Sequence, residues 1–447
     1  MEENHQPKKT KDKNAGHKPN YKEYLATVED IEHFLSDHMQ SRYNVVTGRT
    51  ECRIYESDLF ADWIAQGLTV NQWMPISDRI VNTLWRGLSK TKQTNEKYIH
   101  QILDSDFSPD YNPFTYYLDS LPPWNGDDYI LMMSVTVQVA GGPEEQLLFA
   151  QYLKKWLVGM VAGWIDETVV NNVILVLIGE QGCYKTTWFN YLLPPELRRY
   201  FYTKTNANRM SKDDLLTLAQ YGLVCCEELD TMRPSELNQL KAAVTMPSID
   251  ERAAYAHYHE HRKHIASFCG TGNNQQFLSD PTGNRRWLPF EVKSIQSPRD
   301  YPFDYEGIYA QAYALYRQGF HYWFSQEEIQ QLGVHNEDFE VPCLEKELIS
   351  NRYRLPGAGE TGEFVTSTDI FQAISGSLVN KLSANRIGRI MSDLGFKRMR
   401  SSSGQRGYLV VAYSPEEIKA RQRFMASEVT KKNDAGIDTF DTIDTIF

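Results

Sequence analysis

The sequence has few cysteines and no long apolar run, and both absences exclude classes of protein. Six cysteines are spread over 447 residues, and none has the C-x-x-C spacing of zinc or redox dithiol sites. We therefore expect free thiols in a reducing cytoplasm. No apolar stretch reaches the roughly 18 residues that a membrane-spanning helix needs. The start, "MEENHQPKKTKDKN", lacks the apolar core of a secretory signal. These features predict a cytoplasmic protein that does not bind membranes.

An excess of positive charge is also missing. The net charge is −11, which argues against a surface that binds nucleic acid through bulk electrostatics but leaves room for a local basic groove. A content of 41% hydrophobic and 23% charged residues is typical of a globular protein. The length exceeds one ordinary hydrophobic core and predicts about two or three domains.

Composition and periodicity divide the chain into five segments. Residues 1–20 are Lys-rich and predict a disordered basic tail. Residues 21–140 predict a mixed, mostly helical domain. Residues 141–330 predict an α/β domain, and residues 340–412 predict two short helices followed by a basic hairpin. Residues 413–447 form a tail that begins basic and ends acidic.

The α/β prediction rests on a change of period within the third segment. Residues 144–165 have apolar residues every three or four positions, which predicts one long amphipathic helix. Three continuous apolar runs follow, within 172–178, 221–230 and 264–274, as expected for strands buried on both faces. Helical patterns separate these runs, so the sequence predicts a parallel α/β sheet.

The first predicted strand is followed by "GEQGCYKTT", which nearly spells the phosphate-binding loop G-x-x-x-x-G-K-[ST]. In such a loop, backbone N–H groups and a helix N-terminus converge on phosphate, lysine adds a charge, and the hydroxyl binds Mg²⁺. Tyr184 replaces the second glycine, and it fits such a loop without strain only if its φ is negative, because a bulky residue is strained at positive φ. The candidate nucleotide-binding residues are Gly179, Gly182, Tyr184, Lys185, Thr186 and Thr187. Alone, the loop could be a chance resemblance.

The next two strands end in polar residues suited to nucleotide hydrolysis. "LVCCEEL" places Glu227 where it would hold Mg²⁺ together with Thr186, and Glu228 where it would act as general base. "GTGNN" places Asn273, with Asn274 next to it, where an amide could orient the attacking water. The alternatives are an acidic strand end that faces solvent and a simple Gly-Asn turn.

"DPTGNRRWLPF" then places Arg285 and Arg286 on a loop before another strand. An arginine in this position could stabilise transition-state charge in a neighbouring subunit. The alternative is a surface ion pair. Lys185, Glu228, Asn273 and Arg286 are the candidate catalytic residues.

These four motifs, in this order, resemble the virulence-associated E family, whose members are P-loop ATPases of phages and mobile elements. The family is similar to superfamily 3 helicases of the AAA+ class, and the resemblance covers about residues 110–325. It implies an AAA+-like P-loop core, a hexameric assembly, ATP and Mg²⁺ as ligands, DNA as partner and Arg286 as the arginine finger. Many relatives carry an N-terminal primase, but the sequence shows no carboxylate constellation for one.

The segment "DERAAYAHYHEHRKHIASF" separates the second and third strands. In helicases of this resemblance, a β-hairpin in this place grips DNA in the central pore. The candidate DNA contacts are Tyr255, His259, His261, Arg262 and Lys263. Alternate spacing would place His257, His259 and His261 on one face of a strand, where they could bind zinc. The sequence identifies no cysteine or carboxylate as a further ligand. A solvated hairpin is the other alternative, and Arg252 could instead serve the nucleotide site.

The fourth segment is basic although the protein is acidic. From Lys381 to Arg406 it holds seven Lys or Arg and one acid, Asp393. Helix, helix and basic hairpin is the winged-helix order, with Ser383 as the N-cap of the second helix. The candidate DNA contacts are Arg386 and Arg389 on that helix and Arg398, Arg400 and Arg406 on the wing. The alternative is an α+β packing module with a solvated basic face.

The sequence therefore predicts an ATP-dependent DNA helicase or translocase of a phage or mobile element, acting on single-stranded or forked DNA during replication. The alternative from another class is a nucleotide-gated DNA-binding regulatory protein that does not unwind processively. The two acidic residues after the second strand favour an enzyme that hydrolyses nucleotide over a protein that only switches on binding it. A third hypothesis, a structural protein with an inactive phosphate-binding loop, depends on Tyr184 alone.

Overall fold

The computed structural model describes residues 24–204, 212–251, 260–279, 284–357, 359–375, 384–402, 404–414 and 416–421. The chain divides into two compact units, Met1–Glu340 and Val341–Phe447. The predicted disordered tail at 1–20 lies outside the described residues. The described part contains no helix long and apolar enough to cross a membrane.

The first unit begins with a four-stranded sheet packed against helices. Its strands run in the order β3-β2-β1-β4, and its core includes Leu35, Ile54, Leu84 and Ile99. The prediction for this region missed the sheet, because "MQSRYN" and "RTECRI" are largely polar and have no clear apolar alternation. The elements are α1 (Val28–His38), β1 (Met39–Asn44), β2 (Arg49–Ile54), α2 (Ala61–Ala65), β3 (Trp73–Pro75), α3 (Asp78–Leu88), α4 (Glu96–Leu103) and β4 (Asp110–Tyr111).

The larger part of this unit is built on a six-stranded sheet in the order β5-β12-β6-β11-β8-β7. Five strands are parallel, as predicted, and β5 pairs with β12 in the antiparallel direction at one edge. The elements are α5 (Pro113–Asp119), α6 (Tyr129–Ser134), β5 (Val137–Val139), α7 (Pro143–Ile165), β6 (Ile174–Ile178), α8 (Lys185–Leu192), β7 (Phe201–Lys204), α9 (Lys212–Gln220), β8 (Leu223–Cys226), α10 (Pro234–Val244), β9 (Ser248–Glu251), β10 (Glu260–Lys263), β11 (Ser267–Gly272), β12 (Trp287–Ile295), α11 (Tyr305–Arg317) and α12 (Gln326–Asn336).

Helix α7 supports this sheet from one face. The helix was predicted, but its amphipathic character is wrong for the second half, because every residue from Trp156 to Trp164 is buried. Its tryptophans donate to the strand region: Trp156 Nε1 lies 3.0 Å from the carbonyl oxygen of Phe268, and Trp164 Nε1 lies 3.1 Å from that of Gly222. These bonds satisfy the two indole N–H groups inside an apolar core.

A buried ionic cluster joins the four-stranded sheet to the six-stranded one. Glu51, only 2% exposed, accepts from Arg42 at 2.8 Å and from Asn44 at 2.9 Å, and it also pairs with Arg199. Asn44 donates to the hydroxyl of Tyr200, just before β7, at 2.8 Å. Burial would raise the pKa of Glu51, but the hydrogen bonds from Asn44 and Arg42 and the charge of Arg199 hold it below its usual value.

We expect Glu51→Ala to lower the free energy of unfolding by about 3 kcal/mol, because it leaves the largely buried Arg42 and the more exposed Arg199 without their carboxylate. Chemical denaturation of the full chain measures this change. Glu56→Ala, at an exposed glutamate nearby, is the control and should change stability by less than about 0.5 kcal/mol. Equal effects of the two substitutions would show that the cluster contributes nothing beyond a surface charge.

The second unit contains the two helices and the hairpin that the sequence predicts. Strand β16 pairs with β13, β14 and β15, all antiparallel. Its core includes Ile370, Ile387, Met391 and Tyr408. The proposed N-cap Ser383 lies outside the described residues. The elements are α13 (Leu344–Arg352), β13 (Tyr353–Arg354), β14 (Glu363–Val365), α14 (Ser367–Ser375), α15 (Ala384–Asp393), β15 (Arg398–Arg400) and β16 (Arg406–Ala412).

Candidate functional site

A polar cavity of about 390 Å³ lies at the carboxyl ends of β6, β8 and β11. Ligands of open parallel sheets bind at such strand ends. Most of the candidate nucleotide and catalytic residues meet here. The lining residues are Gln181, Gly182, Cys183, Tyr184, Lys185, Thr186, Thr187, Glu227, Glu228, Thr271, Gly272 and Asn273.

The loop between β6 and α8 uses its glycines for two different purposes. Gly179 lies behind the cavity wall, where a Cβ would come within 2.7 Å of the carbonyl oxygen of Val292. A side chain there would push the loop away from β12. Gly182 has φ +90°, in the left-handed region that glycine adopts without steric cost.

Tyr184 does not meet the condition for an unstrained loop. Its φ is +65°, not negative, and it caps α8 while its carbonyl oxygen accepts from the N–H of Trp188 at 2.8 Å. The phosphate-loop motif places glycine at this position, and here a tyrosine adopts the left-handed conformation with 46% of its side chain exposed. The described non-glycine residues with positive φ are Asn71, Tyr184 and Glu228, so two of the three line this cavity. Backbone strain of this kind concentrates at functional sites.

We expect Tyr184→Gly to keep or raise the hydrolytic activity proposed below and to stabilise the loop, because glycine removes a strain of about 1 kcal/mol. Thermal unfolding and a nucleotide-hydrolysis assay measure the two effects. Tyr184→Ala is the matched control, since it removes the ring but keeps a Cβ at positive φ. Complete loss of activity in both variants would show that the exposed ring itself has a role.

Lys185 supplies a cation in the centre of this loop. Its Nζ donates to the carbonyl oxygens of Gly179 at 2.6 Å and Glu180 at 2.7 Å, and it lies 3.4 Å from Oδ1 of Asn273. The side chain is buried, and no carboxylate neutralises it among its hydrogen-bond partners in the described part of the chain. A buried ammonium held by carbonyl dipoles is suited to attract a multiply charged anion.

Thr186 and Glu227 meet across the cavity floor. The hydroxyl of Thr186 donates to Oε1 of Glu227 at 2.8 Å, which joins the start of α8 to the end of β8. A hydroxyl beside a carboxylate is an oxygen pair suited to Mg²⁺, which takes one or two protein oxygens together with waters and phosphates. Glu228 follows with φ +55° and an exposed side chain at the cavity edge. The two carboxylates therefore occupy different environments.

Asp230 positions Asn273, and sequence reasoning missed it. Its carboxylate accepts from the backbone N–H of Asn273 at 3.2 Å, from that of Asn274 at 3.1 Å and from the side-chain amide of Asn274 at 2.7 Å. Asn274 is therefore occupied in holding the turn, whereas Asn273 faces Lys185. The only signal in the sequence was a third acid after two others in "CCEELD", which reads as an ordinary solvated strand end.

The structure does not bring Arg286 to the cavity. Arg285 and Arg286 lie on a 3₁₀ helix, Asn284–Arg286, immediately before β12, and neither is among the lining residues in the described part of the chain. The turn is anchored by Asn336, whose amide donates to the carbonyl oxygens of Asn284 at 2.8 Å and Trp287 at 3.1 Å.

Strands β9 and β10 form the predicted hairpin, whose base joins the amino end of β11, opposite the cavity. His261 is exposed and its Nδ1 lies 2.6 Å from Oδ1 of Asp250. The guanidinium of Arg262 lies against Gly48, where a Cβ would overlap it. Lys263 is less accessible than a DNA contact would be: its Nζ is shielded from solvent, and burial lowers its pKa although the charges of Glu167 and Asp166 raise it.

Several residues of the same segment, Arg252, Tyr255, His257 and His259, lie outside the described residues. The described part of the chain contains no group of three or more side chains placed to hold a metal ion. His264 is buried, and its Nδ1 lies 2.7 Å from the carbonyl oxygen of Met246. This histidine has a packing role in the loop before β11.

The candidate DNA contacts of the second unit are on its surface. Arg389 is exposed on α15, and Arg398 and Arg400 are exposed on β15. Arg386 is also exposed, but its guanidinium pairs with Glu345 at 3.0 Å, which reduces its availability to a phosphate.

The fold and the cavity define a mixed α/β protein that collects a lysine, a threonine–glutamate pair and an asparagine at the ends of parallel strands. The chain belongs to the virulence-associated protein E-like family, whose domain matches residues 118–341. No curated protein matches the sequence. Among solved structures it is similar to the apo NrS-1 C-terminal region, at 11% identity and a TM-score of 0.46, over 86% of this chain and 98% of that one. An A-form apo structure of the same region gives 12% identity and a TM-score of 0.45 with the same coverage.

Proposed function

We propose that this protein is a Mg²⁺-dependent ATPase with an AAA+-like P-loop core that translocates along or unwinds DNA during replication of a phage or mobile element. The observation that carries the proposal is the convergence of Lys185, the Thr186–Glu227 pair and Asn273 on one cavity at the strand ends. The family resemblance supplies DNA and replication as the context.

Different residues would bind the phosphates, bind Mg²⁺ and activate the attacking water. Backbone N–H groups of the loop and the Lys185 ammonium would hold the ATP phosphates, in place of the carbonyl contacts that Lys185 makes in the structure. Thr186 and Glu227 would hold Mg²⁺, which neutralises charge on the phosphates. Glu228 would take a proton from the attacking water, and Asn273, fixed by Asp230, would orient that water.

Arg286 supports an assembly rather than a single chain. A transition state in phosphoryl transfer gains strongly from an arginine, and Arg286 is absent from the lining of its own cavity in the described part of the chain. A ring, hexameric as in the resembling helicases, would bring the Arg286 of one subunit to the cavity of the next. Arg286→Ala should then be inactive alone and regain activity when mixed with a Lys185→Ala chain.

DNA would meet two surfaces. The β9–β10 hairpin, with exposed His261 and the nearby Arg262, would contact the strand that passes through the ring. The second unit would act as a winged helix, with Arg389 on its second helix and Arg398 and Arg400 on its wing near phosphates.

The experiment is ATP hydrolysis by the full chain with and without single-stranded or forked DNA, followed by strand displacement on the forked substrate. We expect DNA to stimulate hydrolysis. Hydrolysis indifferent to DNA and no strand displacement would favour the alternative, a nucleotide-gated DNA-binding regulator. No hydrolysis in either condition would overturn the ATPase proposal.

A further inference from the structure

The helices beside the four-stranded sheet carry exposed cations and aromatic side chains. These residues are remote in sequence from the β9–β10 hairpin and from the second unit. We propose that the α3–α4 surface, formed by Tyr24, Trp85, Arg86, Lys90, Lys97 and Tyr98, binds single-stranded nucleic acid. This binding would be independent of ATP hydrolysis, so the proposal goes beyond the function proposed above.

The charge of this segment is opposite to that of the protein. Arg79 to Tyr98 contains five Lys or Arg and one acid, Glu96, in a chain of net charge −11. Lys92 is neutralised by Asp30 at 2.6 Å. Within the part of the chain that the structure describes, Arg86, Lys90 and Lys97 form no ion pair with a carboxylate. Three exposed cations are therefore available to phosphates.

Helix electrostatics account for only part of this charge. Arg86 lies in the last turn of α3 and Lys90 just beyond it, where the helix dipole favours cations. Lys97 lies in the first turn of α4, where the dipole disfavours a cation. Its backbone N–H is held by the cap residue Asn95 at 2.9 Å, which fixes the turn and leaves the ammonium exposed. An external anion would offset the repulsion that Lys97 experiences.

Three residues with exposed aromatic side chains lie beside the loop between α3 and α4 in the described part of the chain. Trp85 is 37% exposed, and its Nε1 donates to the carbonyl oxygen of Thr94 at 3.0 Å, which holds the indole over the loop. Tyr24 is 58% exposed, and its carbonyl oxygen accepts from the N–H of Gln93 at 2.7 Å. Tyr98 is 56% exposed, one turn after the Asn95 cap.

Exposed aromatic rings interspersed with cations suit a single-stranded nucleic acid better than a duplex or an acidic peptide. Unpaired bases stack on aromatic side chains, with about 1–3 kcal/mol per base, while the cations follow the backbone. In a duplex the base faces are hidden, so the rings would have no partner. An acidic peptide would satisfy Lys90 and Lys97 but would leave Trp85 and Tyr98 without stacking partners.

The first test maps contacts on the unsubstituted full chain without nucleotide. An oligothymidine carrying iododeoxyuridine is photocrosslinked to the protein, and the crosslinked peptides are identified by mass spectrometry. We expect crosslinks at Trp85 or Tyr98. Crosslinks confined to other segments would overturn the proposal. A matching oligouridine distinguishes RNA from DNA as the preferred strand, and either strand supports the proposal.

The second test measures affinity by fluorescence anisotropy. Trp85→Ala with Tyr98→Ala should weaken binding about tenfold or more, because two stacking contacts are lost. Lys90→Ala with Lys97→Ala should reduce the slope of log affinity against log salt by about 1.4. The matched controls are Tyr116→Ala and Lys293→Ala, at an exposed tyrosine and lysine elsewhere, and should leave binding unchanged.

Two further measurements, competition by polyglutamate and ATP hydrolysis without DNA, test the proposal separately from the ATPase proposal. If both double variants bind as the controls do, or if polyglutamate competes as well as the oligonucleotide, the proposal is overturned. ATP hydrolysis without DNA should be the same in every variant. If the unsubstituted chain lacks hydrolysis but crosslinks at Trp85 or Tyr98, the ATPase proposal fails and this one stands.

Discussion

Lys185→Ala should lower ATP hydrolysis at least about a hundredfold, because it removes the one cation in the lining of the cavity within the described residues. The ammonium would move from two loop carbonyls to the phosphates, so its loss affects both binding and the transition state. Steady-state hydrolysis and nucleotide binding by the same preparation measure the two effects. Turnover at the unsubstituted rate would mean that the loop assignment is wrong.

Lys155→Ala is the matched control for this prediction. The ammonium of Lys155 also donates to two carbonyl oxygens, those of His321 at 2.9 Å and Trp323 at 3.0 Å, and it pairs with Glu328 at 2.9 Å, but it lies outside the cavity. The substitution should reduce stability and leave hydrolysis unchanged. The comparison separates the loss of a structural cation from the loss of one that meets the substrate.

Glu228→Gln should still bind ATP but hydrolyse it about 10²–10⁴-fold more slowly, because glutamine keeps the shape of the side chain and cannot accept a proton from water. Binding is measured by equilibrium titration and chemistry by a single-turnover assay. We expect the dissociation constant to stay within a few fold. Weaker binding together with normal turnover would contradict a general-base role for Glu228.

Two other substitutions make the result specific. Glu180→Gln removes one exposed carboxylate from the same loop region and should leave the rate unchanged, which controls for charge alone. Glu227→Gln keeps an oxygen that can accept from Thr186 but removes the negative charge, so it should raise the Mg²⁺ concentration needed for activity. If all three substitutions slow hydrolysis equally, the effect is a general electrostatic one.

The sheet and the cavity were largely predictable from sequence, because buried strands leave continuous apolar runs and the polar residues at their ends must meet at one edge. Lys185, Thr186, Glu227 and Asn273 illustrate this. The conformation of Tyr184 was not predictable, since the surrounding fold holds a residue in a conformation that its own side chain disfavours. Its φ follows the geometry of the loop and not the residue type.

Other features depended on packing between distant segments. The role of Asp230 requires the ends of β8 and β11 to lie side by side, and an isolated acid gives no hint of it. The burial of Lys263 likewise depends on the elements around the hairpin base, because a lysine in a polar run normally reaches solvent. The four-stranded sheet was missed because its strands carry the polar cluster around Glu51.

The cluster around Glu51 also limits where this chain can be divided. A chain cut to begin at Pro113 would keep all the cavity residues, yet it would remove Asn44 and Glu51 and leave Arg199 and Tyr200 without those partners beside β7. We therefore expect neither sheet to be stable when the chain is divided between them. A division of this chain between the two sheets should preserve assembly only if Glu51 and Arg199 remain in the same molecule.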